Sequence, residues 1–245
     1  MCALIKPQWP QPATVRSCAT TREGGVSLPP YGALNLGDHV GDCPEHVALN
    51  RQRIVELGGL PASPHWLEQV HGTDVVRLTA HIPRSPSLIA DAAYTREPGV
   101  VCAAMTADCL PVLFCSMNGD EVAAAHAGWR GLCAGILENT VACFDAASKD
   151  IMAWMGPAIG PSHFEVGGEV REAFMAVNGA TSAAFRPVGA KFMADIYLLA
   201  RLRLQSAGIT AIYGGEHCTV TDSRKFYSYR RDGVTGRLAS LIWLI

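Results

Sequence analysis

Charge is scarce in this 245-residue sequence and nowhere concentrated. Asp, Glu, Lys and Arg make up 17% of it, and 20 basic against 22 acidic side chains leave a formal net charge of −2. Apart from Arg230-Arg231 the basic residues are scattered. The sequence therefore lacks the basic face that nucleic acid or an anionic membrane surface requires. No apolar run reaches the ~18 residues of a membrane-spanning helix. The opening Met1-Cys2-Ala3-Leu4-Ile5-Lys6-Pro7 lacks the charged-then-apolar order of a secretion signal, so a cytoplasmic protein is expected. Also absent are Cys-x-x-Cys, Gly-x-Gly-x-x-Gly, the phosphate-binding P-loop, His-Glu-x-x-His and Gly-x-Ser-x-Gly. The common nucleotide-cofactor, zinc-protease and serine-hydrolase readings lose their usual support with them.

Hydrophobic residues are plentiful, at 49%, and a chain of this length can bury a large core. There is no internal repeat, low-complexity segment or linker, so one domain over 1–245 is expected. The nine cysteines are odd in number. In a reducing compartment that argues against a disulfide framework and for metal ligation or catalysis at a special cysteine. Cys102, Cys115, Cys133 and Cys143 lie in apolar stretches and read as small core residues.

Residues 14–20 read as a strand, and 21–43 as a glycine-rich loop. A helix follows, with Asp42 as cap, Pro44 in its first turn, Glu45 completing a capping box and Gly58-Gly59 as its stop. Val47, Ile54, Val55 and Leu57 form its expected buried side. Residues 66–70 and 74–79 are expected as paired strands around a His71-Gly72-Thr73 turn. The apolar runs 99–106, 110–115 and 120–126 read as strands buried on both faces. A helix of about four turns is expected from Gly131, with Leu132, Ile136, Leu137, Val141 and Phe144 inward. A strand at 151–155, helices near 168–177 and 191–206, and strands near 210–213, 225–229 and 239–245 complete the pattern. Strands and helices mix without strict alternation. That predicts a layered α/β fold with a mixed β-sheet flanked by helices.

Three segments place reactive side chains at the ends of apolar strands: Glu68-Gln69-Val70-His71-Gly72, Met105-Thr106-Ala107-Asp108-Cys109-Leu110-Pro111 and Ala123-Ala124-Ala125-His126-Ala127-Gly128-Trp129-Arg130. His71, Cys109 and His126 are 38 and 17 residues apart, too far for local geometry to unite them. A sheet can bring strand ends together at one edge, where sites of open α/β sheets lie. Imidazole and thiolate suit zinc, and three protein ligands leave a fourth position for water or substrate. The alternative is structural: a hairpin histidine, a core cysteine and a satisfied core histidine.

Those segments, with Thr21-Arg22-Glu23-Gly24-Gly25, Asn35-Leu36-Gly37, Gly156-Pro157-Ala158-Ile159-Gly160 and Phe226-Tyr227-Ser228-Tyr229-Arg230-Arg231-Asp232, resemble the YfiH family. It is also called the laccase-domain or multicopper polyphenol oxidoreductase family. The resemblance runs from about residue 5 to residue 245. It implies zinc on His71, Cys109 and His126, which would also be the catalytic residues. The implied activity is phosphorolysis of adenosine, inosine, guanosine and methylthioadenosine, with deamination of adenosine. It further implies a layered fold like the deamidase domain of the cytotoxic necrotizing factors, and a link to editing of peptidoglycan precursors.

Arg51 is a candidate phosphate holder, since guanidinium matches that anion; otherwise it is a solvated helix arginine. Asn35 is a candidate ribose contact or a turn former. Arg130 would bind an anion or cover Trp129. Asp108 would orient a ligand or act as acid or base, although strand alternation points it away from Cys109. The segment 156–161 is a rigid turn expected to line the pocket. His163 is a surface residue or an extra polar contact. Against the nucleoside enzyme stand three alternatives. One is a cell-wall amidase acting on UDP-muropeptides, with Cys109 as nucleophile and His126 as its base. Another is a copper oxidase, disfavoured because no His-x-His occurs. The last is a binding protein with a structural metal, which would need a fourth protein ligand. Oligomeric state is not legible.

Overall fold

The computed structural model describes residues 4–83 and 86–245. In chain order its strands are β1 (Leu4–Ile5), β2 (Val15–Thr20), β3 (Val75–Arg77), β4 (Ala92–Thr95), β5 (Val101–Thr106), β6 (Leu110–Ser116) and β7 (Val122–Ala127), then β8 (Ile151–Met155), β9 (Glu165–Val166), β10 (Phe185–Val188), β11 (Lys191–Ala194), β12 (Ala211–Gly214) and β13 (Leu238–Leu244). The helices are α1 (Pro44–Gly58), α2 (Trp129–Ala134), α3 (Ile136–Val141), α4 (Gly168–Val177), α5 (Ile196–Ser206) and α6 (Tyr229–Asp232). None is long and apolar enough to cross a membrane among the described residues.

The expected mixed sheet is present, with six strands in the order β12-β8-β6-β7-β4-β3. Its outer pairs, β12 with β8 and β3 with β4, are parallel, and its inner pairs antiparallel. A second, wholly antiparallel sheet, β1-β2-β13-β5, packs on one face of it. Helices α2, α3 and α5 cover the other face, and α1 covers the outside of the second sheet. A small sheet, β10-β11-β9, lies beside α4.

This layering explains the continuous apolar runs. On β6, Leu110, Val112 and Phe114 join the core under the helices, while Leu113 and Cys115 join the core between the sheets. On β5, Cys102 and Ala104 face the six-stranded sheet and Val101 and Ala103 face α1. Successive strand residues point to opposite faces, so a strand buried on both needs an apolar residue at every position. Each fully buried Val, Leu or Phe contributes about 1.5–3 kcal/mol.

Several local expectations are corrected. Asp42 does not cap α1. Cys43 holds the cap position without capping a helix N–H through its side chain, and the Asp42 carboxylate accepts from Ser27, Asn35 and the Cys43 N–H instead. Leu57 is exposed, and the polar Asn50 takes a buried place on that helix. Asn50 is tolerated because its amide bonds Ser27, Ala33, Asn35 and Val26. Residues 66–70 form no hairpin with β3. They touch the Ile89 segment through a single bridge, and β3 pairs with β4. The helix after Gly128 is two short ones, broken at Gly135, whose φ of +109° favours glycine. Its five expected inward residues are nevertheless all buried. Residues 191–194 are strand rather than helix, and the strand expected near 225–229 does not form: 225–228 are turn and loop, and a short helix begins at Tyr229. Cys102 and Cys115 are core residues; Cys133 and Cys143 are only half-buried.

Candidate metal centre

His71, Cys109 and His126 converge. One donor atom of each lies within 4.8 Å of the others, and Cys109 Sγ is 3.7 Å from His71 Nε2. The two imidazoles meet edge-on with centroids 4.8 Å apart. Each residue arrives by a different device. His126 is near the end of β7, opposite Pro111 of β6. Cys109 follows Asp108, whose φ of +97° turns β5 into β6. His71 sits in a loop with φ of +61°. Gly128 leaves room for the cluster, since a Cβ there would lie 2.6 Å from His71 Cδ2 and 3.1 Å from Cys109 Sγ.

Both unusual backbone turns are held by buried carboxylates. Asp91 accepts the N–H groups of Val70 (3.2 Å), His71 (2.9 Å) and Gly72 (2.6 Å), and lies 2.8 Å from His126 Nδ1. With Nδ1–H donating to Asp91, the Nε2 lone pair of His126 is free for the cluster. Asp108 accepts from Thr219 Oγ1 (2.5 Å), Ser228 Oγ (3.0 Å) and the Arg230 N–H (2.6 Å). Its oxygens thus tie the C-terminal segment to the Cys109 turn.

The electrostatics follow from the geometry. Burial alone would push the Cys109 thiol up, but the charge and hydrogen bonds of His126 and His71 outweigh it and draw the thiol down. Burial likewise disfavours a charged His126, yet the Cys109 thiolate and Asp91 raise it. The thiolate is the form that binds metals and attacks carbonyls.

The cluster opens onto a cavity of about 370 Å³, lined also by Gln69, Met105, Tyr229 and Arg237. A second cavity of about 280 Å³ shares Ala107, Cys109 and Tyr229 with it and is walled by Trp129, Ile159, Phe164 and Ile196. Arg130 borders this second cavity, its guanidinium stacked 4.4 Å over Trp129. Ile159 brings the 156–161 turn there as well.

Two expected contacts are not brought to the cluster. Asn35 is fully buried and its amide saturated: Nδ2 donates to Gly37 O and Asp42, and Oδ1 accepts from the Gly37 and Arg237 N–H groups. It is a loop organiser with no group left for a ribose hydroxyl. Arg51 pairs with Asp38 at 3.2 Å, stacks over Trp66 and donates to Leu36 O, away from both cavities. Conversely, sequence reasoning passed over Asp91 and Arg237. The signal for Asp91 was a lone carboxylate inside the apolar run Ile89-Ala90-Asp91-Ala92-Ala93-Tyr94. For Arg237 there was none beyond its place before the last strand.

Fold and site together define a layered α/β protein with a His–Cys–His group that can hold one metal ion. The model of the multi-copper polyphenol oxidoreductase laccase family matches residues 16–245, and the chain belongs to that family. It is 62% identical over 245 residues, all of both chains, to the purine nucleoside phosphorylase YfiH of Escherichia coli (strain K12). It is 54% identical to a purine nucleoside phosphorylase of Pseudomonas aeruginosa, covering 100% of this chain and 99% of the relative. A crystal structure of a Neisseria meningitidis protein superposes with a TM-score of 0.94 at 49% identity, covering 99% of each chain. YlmD from Geobacillus stearothermophilus gives 0.90 at 31%, covering 99% and 96%.

Proposed function

We propose that this chain is a cytoplasmic, zinc-dependent purine nucleoside phosphorylase, a single domain with His71, Cys109 and His126 as metal ligands. The observation that carries the reading is the convergence of these three side chains beside a cavity, in a chain 62% identical to a relative named for that activity. The donor set suits zinc. Bonds of ~2.3 Å to sulfur and ~2.0–2.1 Å to nitrogen at a tetrahedral angle put the donors about 3.6 Å apart, close to the 3.7 Å between Cys109 Sγ and His71 Nε2. A multicopper centre needs further clusters, and this is the one group of its kind among the described residues. Zinc held here supplies a Lewis acid that polarises oxygen donors and lets water ionise near neutral pH.

The chain's own residues supply position. Asp91 fixes the loop of His71 and the tautomer of His126, the outer-shell role that buried carboxylates play at metal sites. Trp129, Ile159 and Phe164 offer the purine an apolar wall, and Arg130 lies at that cavity's edge. Substrates of this reading are adenosine, inosine, guanosine and methylthioadenosine with phosphate. Adenosine deamination in the same pocket belongs to it too.

One observation favours a second reading. Cys109, His126 and Asp91 form a nucleophile, base and orienting carboxylate in the order of thiol hydrolases, which fits amide cleavage in UDP-muropeptides. The test separates the two. Under the zinc reading, His71→Ala and Cys109→Ala each lose zinc, by elemental analysis, and inosine phosphorolysis together. A metal-free protein that cleaves muropeptides, is killed by Cys109→Ser yet spared by His71→Ala, and leaves inosine untouched would overturn it.

A further inference from the structure

A cation stands beside the cluster without an acidic partner. Arg237 lies just before β13 and lines the same cavity as His71, Cys109 and His126. Its backbone N–H donates to Asn35 Oδ1 at 2.8 Å, so the saturated amide of Asn35 fixes where the side chain begins. Nη1 donates to the carbonyl oxygens of Thr235 and Gly236, both at 3.2 Å. No carboxylate pairs with this guanidinium among the described residues, whereas Arg51, Arg203 and Arg231 pair with Asp38, Glu138 and Asp232. The other arginines near Cys109 are differently engaged. Arg130 lies over Trp129, and Arg230 donates to the carbonyls of His163 and Glu165 at the second cavity.

A half-buried, unpaired charge facing a cavity is costly unless an anion completes it. Burial already works against this one, with Cys109 and Asp108 opposing that effect. Guanidinium stays protonated throughout the physiological range and offers planar, paired N–H donors that match phosphate.

We propose that Arg237 anchors the inorganic phosphate that attacks the nucleoside. This rests on the phosphorylase reading above. In the step it serves, a phosphate oxygen forms a bond to ribose C1′ while the C1′–N9 bond breaks. The electron pair of that bond leaves with the purine. The proton carried by the phosphate ends on the purine, giving ribose 1-phosphate and free base. Arg237 holds the dianion on the cluster's side of Tyr229, and the purine occupies the apolar second cavity. The shared wall of Cys109 and Tyr229 then marks where C1′ lies. The contribution is one of proximity and charge.

The test uses zinc-loaded wild type, Arg237→Gln and Arg237→Lys. Inosine phosphorolysis is measured against phosphate and against inosine, alongside thermal melts with and without inorganic phosphate. Loss of a charged hydrogen bond predicts a roughly 10–150-fold rise in phosphate KM for Arg237→Gln, with inosine KM within about threefold of wild type. Inorganic phosphate should raise the melting temperature of wild type and leave that of Arg237→Gln unmoved. Arg237→Lys keeps the charge without the fork and should fall between. It decides the matter if Arg237→Gln loses zinc or fold. Unchanged phosphate KM and unchanged phosphate stabilisation in the folded variants would overturn the assignment. A wild type that leaves inosine untouched would instead overturn the phosphorylase reading, and the melts with phosphate alone would still decide Arg237.

Discussion

Replacing Asp91 by Asn should damage the metal centre while leaving its three ligands in place. The residue is 1% exposed and its two oxygens take four hydrogen bonds, from Val70, His71, Gly72 and His126 at 3.2, 2.9, 2.6 and 2.8 Å. Asparagine offers one acceptor oxygen, and its NH2 would face backbone N–H groups. At least one charge-assisted bond is lost and one buried donor is left unsatisfied, each costing ~1.5–3 kcal/mol. The lower end of that sum, about 3 kcal/mol, corresponds to a fall of ~6–12 °C in melting temperature for a chain of this size. The loop that carries His71 at φ +61° loses its tether, so zinc affinity should drop ~10–100-fold as well. Competition with a chromophoric chelator measures the affinity, and melts of the metal-free protein isolate the structural part. Affinity within threefold of wild type together with a melting temperature within 2 °C would refute this account of Asp91.

Gly128→Ala should fold, yet its Cβ would press on His71 and Cys109. Phosphorolysis should fall about 100-fold, the scale of a 1 Å misplacement, and wild-type turnover in this variant would show that the close approach is unimportant. Thiol labelling should discriminate among the cysteines. Cys109 should react after zinc is stripped by a strong chelator and be protected before, whereas burial pushes Cys18 and Cys115 up to about 12 and Cys102 higher still, so these stay silent at neutral pH. Peptide mass mapping reads both. Equal labelling of Cys109 in the two samples would remove it from the ligand set.

What could be read from the sequence depended on whether a residue's neighbours are local. The buried strands β5, β6 and β7 were legible because burial on both faces leaves an unbroken apolar run, and the inward face of α2 and α3 because helical spacing is local. Their break at Gly135 was missed because an isolated glycine inside a helical pattern is tolerated at a cost of only about 1 kcal/mol and need not end the helix. Residues 66–70 misled because a strand-like composition does not name a partner. Asn35 and Arg51 misled for another reason. A side chain can look free in the sequence when its partners lie elsewhere, and the amide of Asn35 is taken by Gly37, Asp42 and Arg237, the last about two hundred residues away.

Residue types and strand ends suggested the donor cluster, and the family resemblance named it, but spacing alone did not bring the three together, and the structure gives the physical reason. None of the three side chains is placed by the element that carries it alone. His71 and His126 depend on Asp91, just before β4. Cys109 depends on Asp108, which in turn is held by Thr219, Ser228 and the Arg230 N–H. The segment that clamps Asp108 also delivers Tyr229 to both cavities, and Arg237 follows it just before β13. Geometry at Cys109 and the charge facing it are therefore set by one stretch of chain near the C-terminus. Thr219, Ser228 and the Arg230 N–H all bond Asp108, so the Cys109 turn is held from the same stretch of chain that brings Tyr229 to the cavities. That coupling is why the spacing of His71, Cys109 and His126 carries so little information by itself, and why the residues that make the cluster usable lie outside its motifs.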